Sequence, residues 1–472
     1  MRFEEYRHYD AVALAGLVGK GEVSAGELLD VAIARGRPSI PRSNAIVHKQ
    51  YEQARATIGK GLLNGPLAGV PYLIKDLAIF EAGEPARFGS SLYADFIADH
   101  DSSYTARCKR AGLIIMGRSS TPEFGISPST EPRLFGPCRN PWNLAYSAGV
   151  RAERPPQWRP AFYRLLMRLM VGARSVFQRH SVDCPAFKPS RGRISFGPDV
   201  GEGWGGMSTA HVVCRSVRDC AVMLDSTAGA EPGDPYTAPP PEHPFVEEVK
   251  RPPGRLKIAT MRKDHVGAAL HPECLAAVEK AGKLCESLGH VVEETYPDLD
   301  FDELRPSIRL IISTNTARDL SKRWQNLGRA PDVKDVEAVT WLVFDRGLTI
   351  TGVAYVQAIA AIHAAGRKFA TFLKRYDVIL SATLPAPPPK LGYFDMNGDV
   401  EVFNKRVTEY LSITPLHNAV GIPSVTVPLH GTAEGLPVGV HFAGRYAEEA
   451  TLLRLVAQLE SAQPWFNTVP EL

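Results

Sequence analysis

The run Gly65-Pro66-Leu67-Ala68-Gly69-Val70-Pro71-Tyr72-Leu73-Ile74-Lys75-Asp76 constrains the fold more than any other stretch of the chain. Turn residues precede a short apolar segment that stops on a charge pair, which is the pattern of a buried strand delivering Lys75 to its end. Thr105 to Ala111 then reads as a helix, and Leu113-Ile114-Ile115-Met116-Gly117 as a compact strand. The alternation continues downstream. Val212 to Ala228 has helical periodicity, Leu256 to Thr260 is strand-like, and Pro272 to Leu288 is a helix leading into His290-Val291-Val292. Asp377 to Ser381, Ser424 to Val427 and Val438 to Phe442 are further strands, followed by a helix from Glu448 to Ala462. Helices alternating with buried strands predict an α/β layered fold. Near the start, Ser24 with Glu27 three residues on forms a capping box ahead of Leu28, Leu29, Val31 and Ala32, which predicts a helical N-terminal arm over residues 1–60.

A chain of 472 residues, 44% of them hydrophobic, can bury a large core. Its 54 basic and 51 acidic residues nearly cancel, so total charge argues for neither nucleic acid nor an acidic membrane surface as a partner. That balance hides a local excess. Between Val150 and Phe187 seven arginines and no lysine face only two acids, Glu153 and Asp183. The seven cysteines (108, 138, 184, 214, 220, 274 and 285) are odd in number and include no C-x-x-C pair, so neither a zinc site nor a disulfide framework is expected, and reduced thiols are. Met1 to Ala15 has acidic and aromatic residues where a signal peptide needs an apolar run, and no apolar run is long enough to span a bilayer. The expectation is a cytoplasmic protein. The Pro-rich patches at 239–244 and 385–389 are short enough to be loops, and no internal repeat is found.

In order and spacing, a set of short motifs resembles the amidase signature family. The Gly65-to-Asp76 run is similar to the strand that carries the family's catalytic lysine. Ser119-Ser120-Thr121-Pro122-Glu123-Phe124, Gly136 and Asn140-Pro141-Trp142-Asn143 resemble the approach to its Gly/Ser-rich centre. Lys188-Pro189-Ser190-Arg191-Gly192-Arg193 and Ser216-Val217-Arg218-Asp219 resemble the exit, and Gly421 to Pro428 with Leu436 to Val440 the closing strands. The resemblance implies a mixed central β-sheet flanked by helices over residues 61–472, a small-molecule amide substrate, no metal or organic cofactor, and neither nucleic acid nor membrane as partner, and it leaves room for a homodimer. It also implies a serine hydrolase without histidine. In that chemistry a neutral lysine, matched here by Lys75, activates the nucleophilic serine through a second serine held by a cis peptide bond. The lysine must then titrate well below the ~10.4 of a free lysine, which burial can achieve and exposure cannot. Asp76 would oppose that fall if it shared the pocket, but neighbouring side chains on a strand point to opposite faces.

The family's two serines and its oxyanion-binding glycines belong between Gly149 and Lys188, and they are missing. Val150 to Phe187 holds one glycine, Gly172, and two serines, Ser175 and Ser181, neither in a Gly-rich setting. A loop that lays backbone amides on a reacting carbonyl needs glycine for close approach. With synonymous codons chosen freely, a shifted reading of the codons for Arg164 to Arg179 permits Ala-Ala-His-Ala-Thr-Asp-Gly-Gly-Gly-Ser-Ile-Arg-Ile-Pro-Ala, which resembles the nucleophile loop. The same frame from Val150 permits Ser-Ser-Gly-Ala-Ala-Ala-Ala-Val-Ala-Ala-Gly, similar to the relay-serine segment. One base lost near Val150 and one gained before Lys188 would produce both effects, and a divergent insertion is the competing account. The reconstructed loop is closer to free-standing amidases, including those acting on 6-aminohexanoate oligomers, than to the glutamine amidotransferase subunit of transamidation. Read as it stands, Tyr163 to Phe177 is a basic amphipathic pattern, which admits a rival function: a non-catalytic scaffold binding a membrane or protein partner through residues 150–187. The single cluster Gln157-Trp158-Arg159 is poor evidence for nucleic acid.

Overall fold

A computed structural model describes residues 3–6, 8–149 and 186–466. The aberrant stretch, with Cys184, Ser175 and Ser181, therefore lies outside the described residues except for Ala186 and Phe187. Strands β1 (Ile46–Lys49), β2 (Pro71–Lys75) and β3 (Ile114–Ser119) form a sheet ordered β1-β3-β2, with β2 parallel to β3 and β1 antiparallel to it. All five residues of β2 are buried, which explains why the residues ahead of Lys75 are a continuous apolar run rather than an alternation. A second, mixed sheet has the order β4-β8-β9-β7-β5-β6, made from β4 (Ala186–Lys188), β5 (Lys257–Thr260), β6 (Val291–Glu294), β7 (Val378–Ala382), β8 (Ser424–Gly431) and β9 (Pro437–Gly444). Ile74, Ile115, Val427 and Phe442 share one apolar core with Leu28, Val278 and Leu453, so strands of both sheets and helices of the first, middle and last thirds of the chain pack together. The expected α/β architecture is thus present.

Helix α1 (Ala11–Gly19) is capped by Asp10, and α2 (Ala25–Ser43) starts on the expected box: Ser24 N donates to Glu27 Oε2 at 2.8 Å and Glu27 N to Ser24 Oγ at 3.1 Å. The N-terminal residues are tied to the rest of the chain by reciprocal caps. Asp219 accepts from Ala11 N and Val12 N, while Asp10 accepts from Ser216 Oγ and from Arg218 Nε at 2.9 Å. Helix α3 (Tyr51–Gly59) lies beside β3, α4 (Ser103–Arg110) precedes it, and α5 (Val217–Thr227) occupies most of the stretch read as helical from Val212. The first residues of that stretch are not helical, because Ser216 Oγ caps Asp219 N and Val213 bridges to Ala186 instead. The reading of reduced thiols is corrected at one place: Cys214, in this extended lead, is joined to Cys220 in the first turn of α5, across a Cα–Cα separation of 6.1 Å. Cys108, Cys138, Cys274 and Cys285 are buried.

Helix α6 (Pro272–Ser287) and the last helix are close to their expected limits, but among the described residues five helices of seven or more residues had no counterpart in the sequence reading. These are α7 (Phe301–Asn326), α8 (Ala338–Leu348), α9 (Gly352–Phe372), α10 (Val400–Tyr410) and α11 (Thr414–Val420). Helix α7 buries Ser313, Asn315 and Thr316 along with Leu304, Ile308 and Leu320, and it carries Pro306 in its second turn, so its apolar stripe is interrupted. Among the described residues no single helix is long and apolar enough to cross a membrane.

The exit motif is locked to the final helix, α12 (Glu449–Ala462). Arg193 and Glu449 form a two-pronged ion pair, at 3.1 and 2.9 Å, with 3% and 0% side-chain exposure. Ser190 N adds a third bond to Glu449 at 3.0 Å, and Pro239 O accepts from Arg193. Removing one member leaves a buried charge uncompensated, so Glu449→Ala should cost about 3–5 kcal/mol in urea unfolding. A loss under about 1 kcal/mol would show that the pair is not a structural tie.

Candidate active site

Lys75 stands at the end of β2 with no exposed surface, opposite Ser119 in the β2–β3 register. The chain leaves the strand in a turn pinned from β3. Asp76 N donates to Ser119 O at 3.0 Å, and the buried guanidinium of Arg118 donates to Ile79 O at 2.8 Å and Lys75 O at 3.4 Å. The side chain of Asp76 has partners of its own. It accepts from Arg87 N at 2.8 Å, and burial pushes its carboxyl up to about 6 against the pull of Arg118 and of the Arg87 and Gly89 amides.

Beyond Asp76 the chain borders a cavity of about 360 Å³, with Leu77, Ala78, Ile79 and Phe80 on its wall. Phe88, Tyr93, Phe96 and Phe124 add an aromatic lining, and Asp199, Glu202, Arg318 and Arg323 are among its charged residues. Four non-glycine residues of this wall have left-handed backbones: Ala78 (φ 49°), Phe88 (57°), Phe124 (48°) and Trp204 (51°). Such conformations cost on the order of 1 kcal/mol or more each and gather where surrounding structure holds a site in shape. Nothing in an Ala, Phe or Trp marks such a position in sequence, which is why the cavity could not be read from the residues.

The approach to the missing centre is built as a polar loop. Ser147 Oγ lies 2.6 Å from Ser129 Oγ and accepts from Gly149 N at 3.0 Å, while Gly149 O accepts from Thr130 N at 2.8 Å. Asn140 of the approach motif donates to Ser147 O at 3.1 Å. On the far side, Ala186, Phe187 and Lys188 pair with Thr426, Val425 and Ser424 of β8. Both flanks of the aberrant stretch are therefore anchored. Lys188 is a second buried amine that the sequence reading did not single out as chemical. It donates to Pro189 O at 3.0 Å, and burial followed by the charge of Arg191 pushes it down to about 7. The buried imidazoles of His417 and His441 sit near it, Nδ1 to Nε2 at 2.9 Å, and burial holds both well below the usual range.

A carboxylate pair braces the cavity wall from behind. Glu123, next to Phe124, accepts from Ser90 Oγ at 2.6 Å and from Glu337 N at 2.7 Å. Glu337 accepts from Arg133 N at 2.9 Å and from Asn397 Nδ2 at 3.3 Å. Burial, and then the charge of Glu123, pushes Glu337 up to about 7. Because this is above the unfolded value, the contribution is fully present below ~4.5 and is lost as pH rises through about 7. Relative to Glu337→Gln, the unmodified chain should therefore lose on the order of 3 kcal/mol between pH 4.5 and pH 8. Parallel pH profiles of urea stability for the two proteins would contradict this assignment.

This fold, with a buried lysine ending a strand beside a walled cavity, is that of the amidases. A family model described as Amidase matches residues 27–150 and 186–453, and the chain belongs to this family, the amidase signature hydrolases of amide C–N bonds. It is 32% identical over 477 residues to the 6-aminohexanoate-cyclic-dimer hydrolase of Paenarthrobacter ureafaciens, covering 98% of this chain and 96% of that protein. The solved structure of a 6-aminohexanoate cyclic dimer hydrolase complexed with substrate superposes with a TM-score of 0.90 at 30% identity, covering 98% of each chain. A bacterial aryl acylamidase of the amidase signature family, at 22% identity and TM-score 0.84 over 98% of each chain, shares the fold.

Proposed function

We propose that the inherited reaction is hydrolysis of a small carboxylic amide to acid and amine or ammonia, with Lys75 as the base of a serine–serine–lysine relay. The observation that carries this reading is the placement of Lys75, fully buried at the end of β2 two residues before the cavity wall begins at Leu77. A low-dielectric setting disfavours the ammonium form, the condition a lysine base requires. In the relay the neutral amine takes a proton from the bridging serine, which takes one from the nucleophile as that oxygen attacks the amide carbon. Backbone amides stabilise the oxyanion, the relay returns the proton to the leaving amine, and water then cleaves the acyl-enzyme. The likeness to the cyclic-dimer hydrolases over nearly the whole chain supports a free-standing amidase for small aliphatic amides.

The chain as it stands lacks the other parts. Lys75 alone forms no acyl-enzyme, so we infer little or no amidase activity for it, with a frame change between residues 150 and 187 as the cause. The family match supports this reading, since it breaks off at 150 and resumes at 186. Sequencing the gene across the codons for Gly149 to Lys188 tests it. The nucleotides should encode Asp-Gly-Gly-Gly-Ser in the shifted frame, with the serine triplet straddling Ala173 and Arg174, and a base restored near codon 150 with one removed before codon 188 would mark a reading error rather than a lesion in the gene. Stop codons, or no serine at that triplet, would favour a divergent insertion instead.

A further inference from the structure

A second cavity, of about 150 Å³, adjoins the first at Trp204, which lines both. That is roughly ten times the ~10–15 Å³ needed for one water. Its walls are apolar, with Phe301, Ile308 and Ile312 of α7, Val343 of α8 and Phe403 and Val407 of α10. Yet three arginines also line it: Arg305 and Arg309 from α7 and Arg346 from α8. Arg305 has a carboxylate within reach, Asp302 at 3.2 Å, but its Nε is buried and meets no acceptor among the described residues. Arg309 donates to the hydroxyl of Thr408. Burial, and then the like charges of Arg305 and Arg346, lower its pKa. No described carboxylate lies within ion-pair distance of Arg309 or Arg346, whereas their neighbour Arg305 has Asp302.

Cations gathered at an apolar pocket without counter-charges repel one another, and an incoming anion relieves that repulsion. A planar carboxylate is the group that the guanidinium fork binds with two parallel hydrogen bonds. The apolar walls fit a short hydrocarbon chain behind it. We propose that this cavity binds the aliphatic chain and terminal carboxylate of the amide substrate, with Arg309 and Arg346 as the counter-charge. The assignment rests on the reading that the neighbouring cavity receives the amide itself, and it makes a carboxylate remote from the scissile bond a determinant of specificity.

Titration calorimetry of the full chain with hexanoate, and with hexanamide as its neutral counterpart, tests the subsite without requiring turnover. Hexanoate should bind about tenfold or more tightly than hexanamide at low ionic strength, with the advantage shrinking as salt is added. The double variant Arg309→Gln/Arg346→Gln should bring the two ligands within about twofold of each other. Val343→Phe, which fills the pocket and leaves its charges in place, should weaken both. Equal affinity for acid and amide, or an undiminished preference in the double variant, overturns the proposal. Should the double variant fail to fold, unaltered hexanoate binding by Val343→Phe overturns it instead. An arginine-dependent preference for hexanoate supports the subsite even where a chain with restored serine motifs hydrolyses no amide, an outcome that would refute the amidase reading alone.

Discussion

Replacing residues 150–187 with the shifted-frame reading should turn a chain that we propose to be silent into an active amidase, raising hydrolysis of a small aliphatic amide by about 10⁴-fold or more. The size of the effect follows from what the segment carries. Nucleophile, relay serine and oxyanion glycines act as one unit, and losing any one of them removes most of the acceleration, so restoring all together recovers it in one step. Stability should rise as well. The present segment brings seven arginines and bulky side chains such as Trp158, Phe162 and Phe177 where the restored reading has mostly Ala, Gly and Ser, and charge or extra bulk in place of small residues is costly wherever the small residues would be buried. Amine release and urea midpoints measured side by side on the two chains would register both changes. A restored chain that folds but remains silent would mean that the inherited function has been misassigned.

In that restored chain, Lys75→Met should lower kcat by about 10³-fold or more while leaving the fold intact. Methionine matches the length of the lysine stem and suits the surroundings of a fully buried position at the end of β2. Without the amine no group takes the relay proton, and the nucleophile keeps its own. Substrate binding should change little, because the lysine acts on the relay rather than on the substrate, so KM should stay within a few-fold. A drop in stability with unchanged kcat would make Lys75 a structural cation and leave the base to another residue.

How much of this could be read from the residues differs from element to element. Strand β2 was legible because Val70 to Ile74 form an unbroken apolar run behind a Gly-Pro turn and end on Lys75, and α2 because the capping box writes its start into Ser24 and Glu27. Helix α7 was not, since it buries Ser313, Asn315 and Thr316 where an apolar stripe would be sought. The Cys214–Cys220 pair carries no recognisable spacing, and it forms because the extended lead into α5 turns back on its first turn. At the candidate site, Lys75 is singled out by the order of neighbouring motifs rather than by its own surroundings, as a lone lysine at a strand end would ordinarily read as a solvated charge. Its cavity depends on backbone turns at Ala78, Phe88, Phe124 and Trp204 that leave no trace in composition or periodicity. The carboxylate pair of Glu123 and Glu337 is 214 residues apart in the chain and is brought together only by the docking of α8.

The central claim is that an amidase fold has kept Lys75 and lost its serines. It is tested most directly by incubating the purified chain, with its intact mass verified against the present sequence, with 6-aminohexanoate cyclic dimer and following free amine. The account predicts release indistinguishable from a blank without protein. Turnover that a serine-directed covalent inhibitor abolishes, in protein of the verified mass, would contradict it.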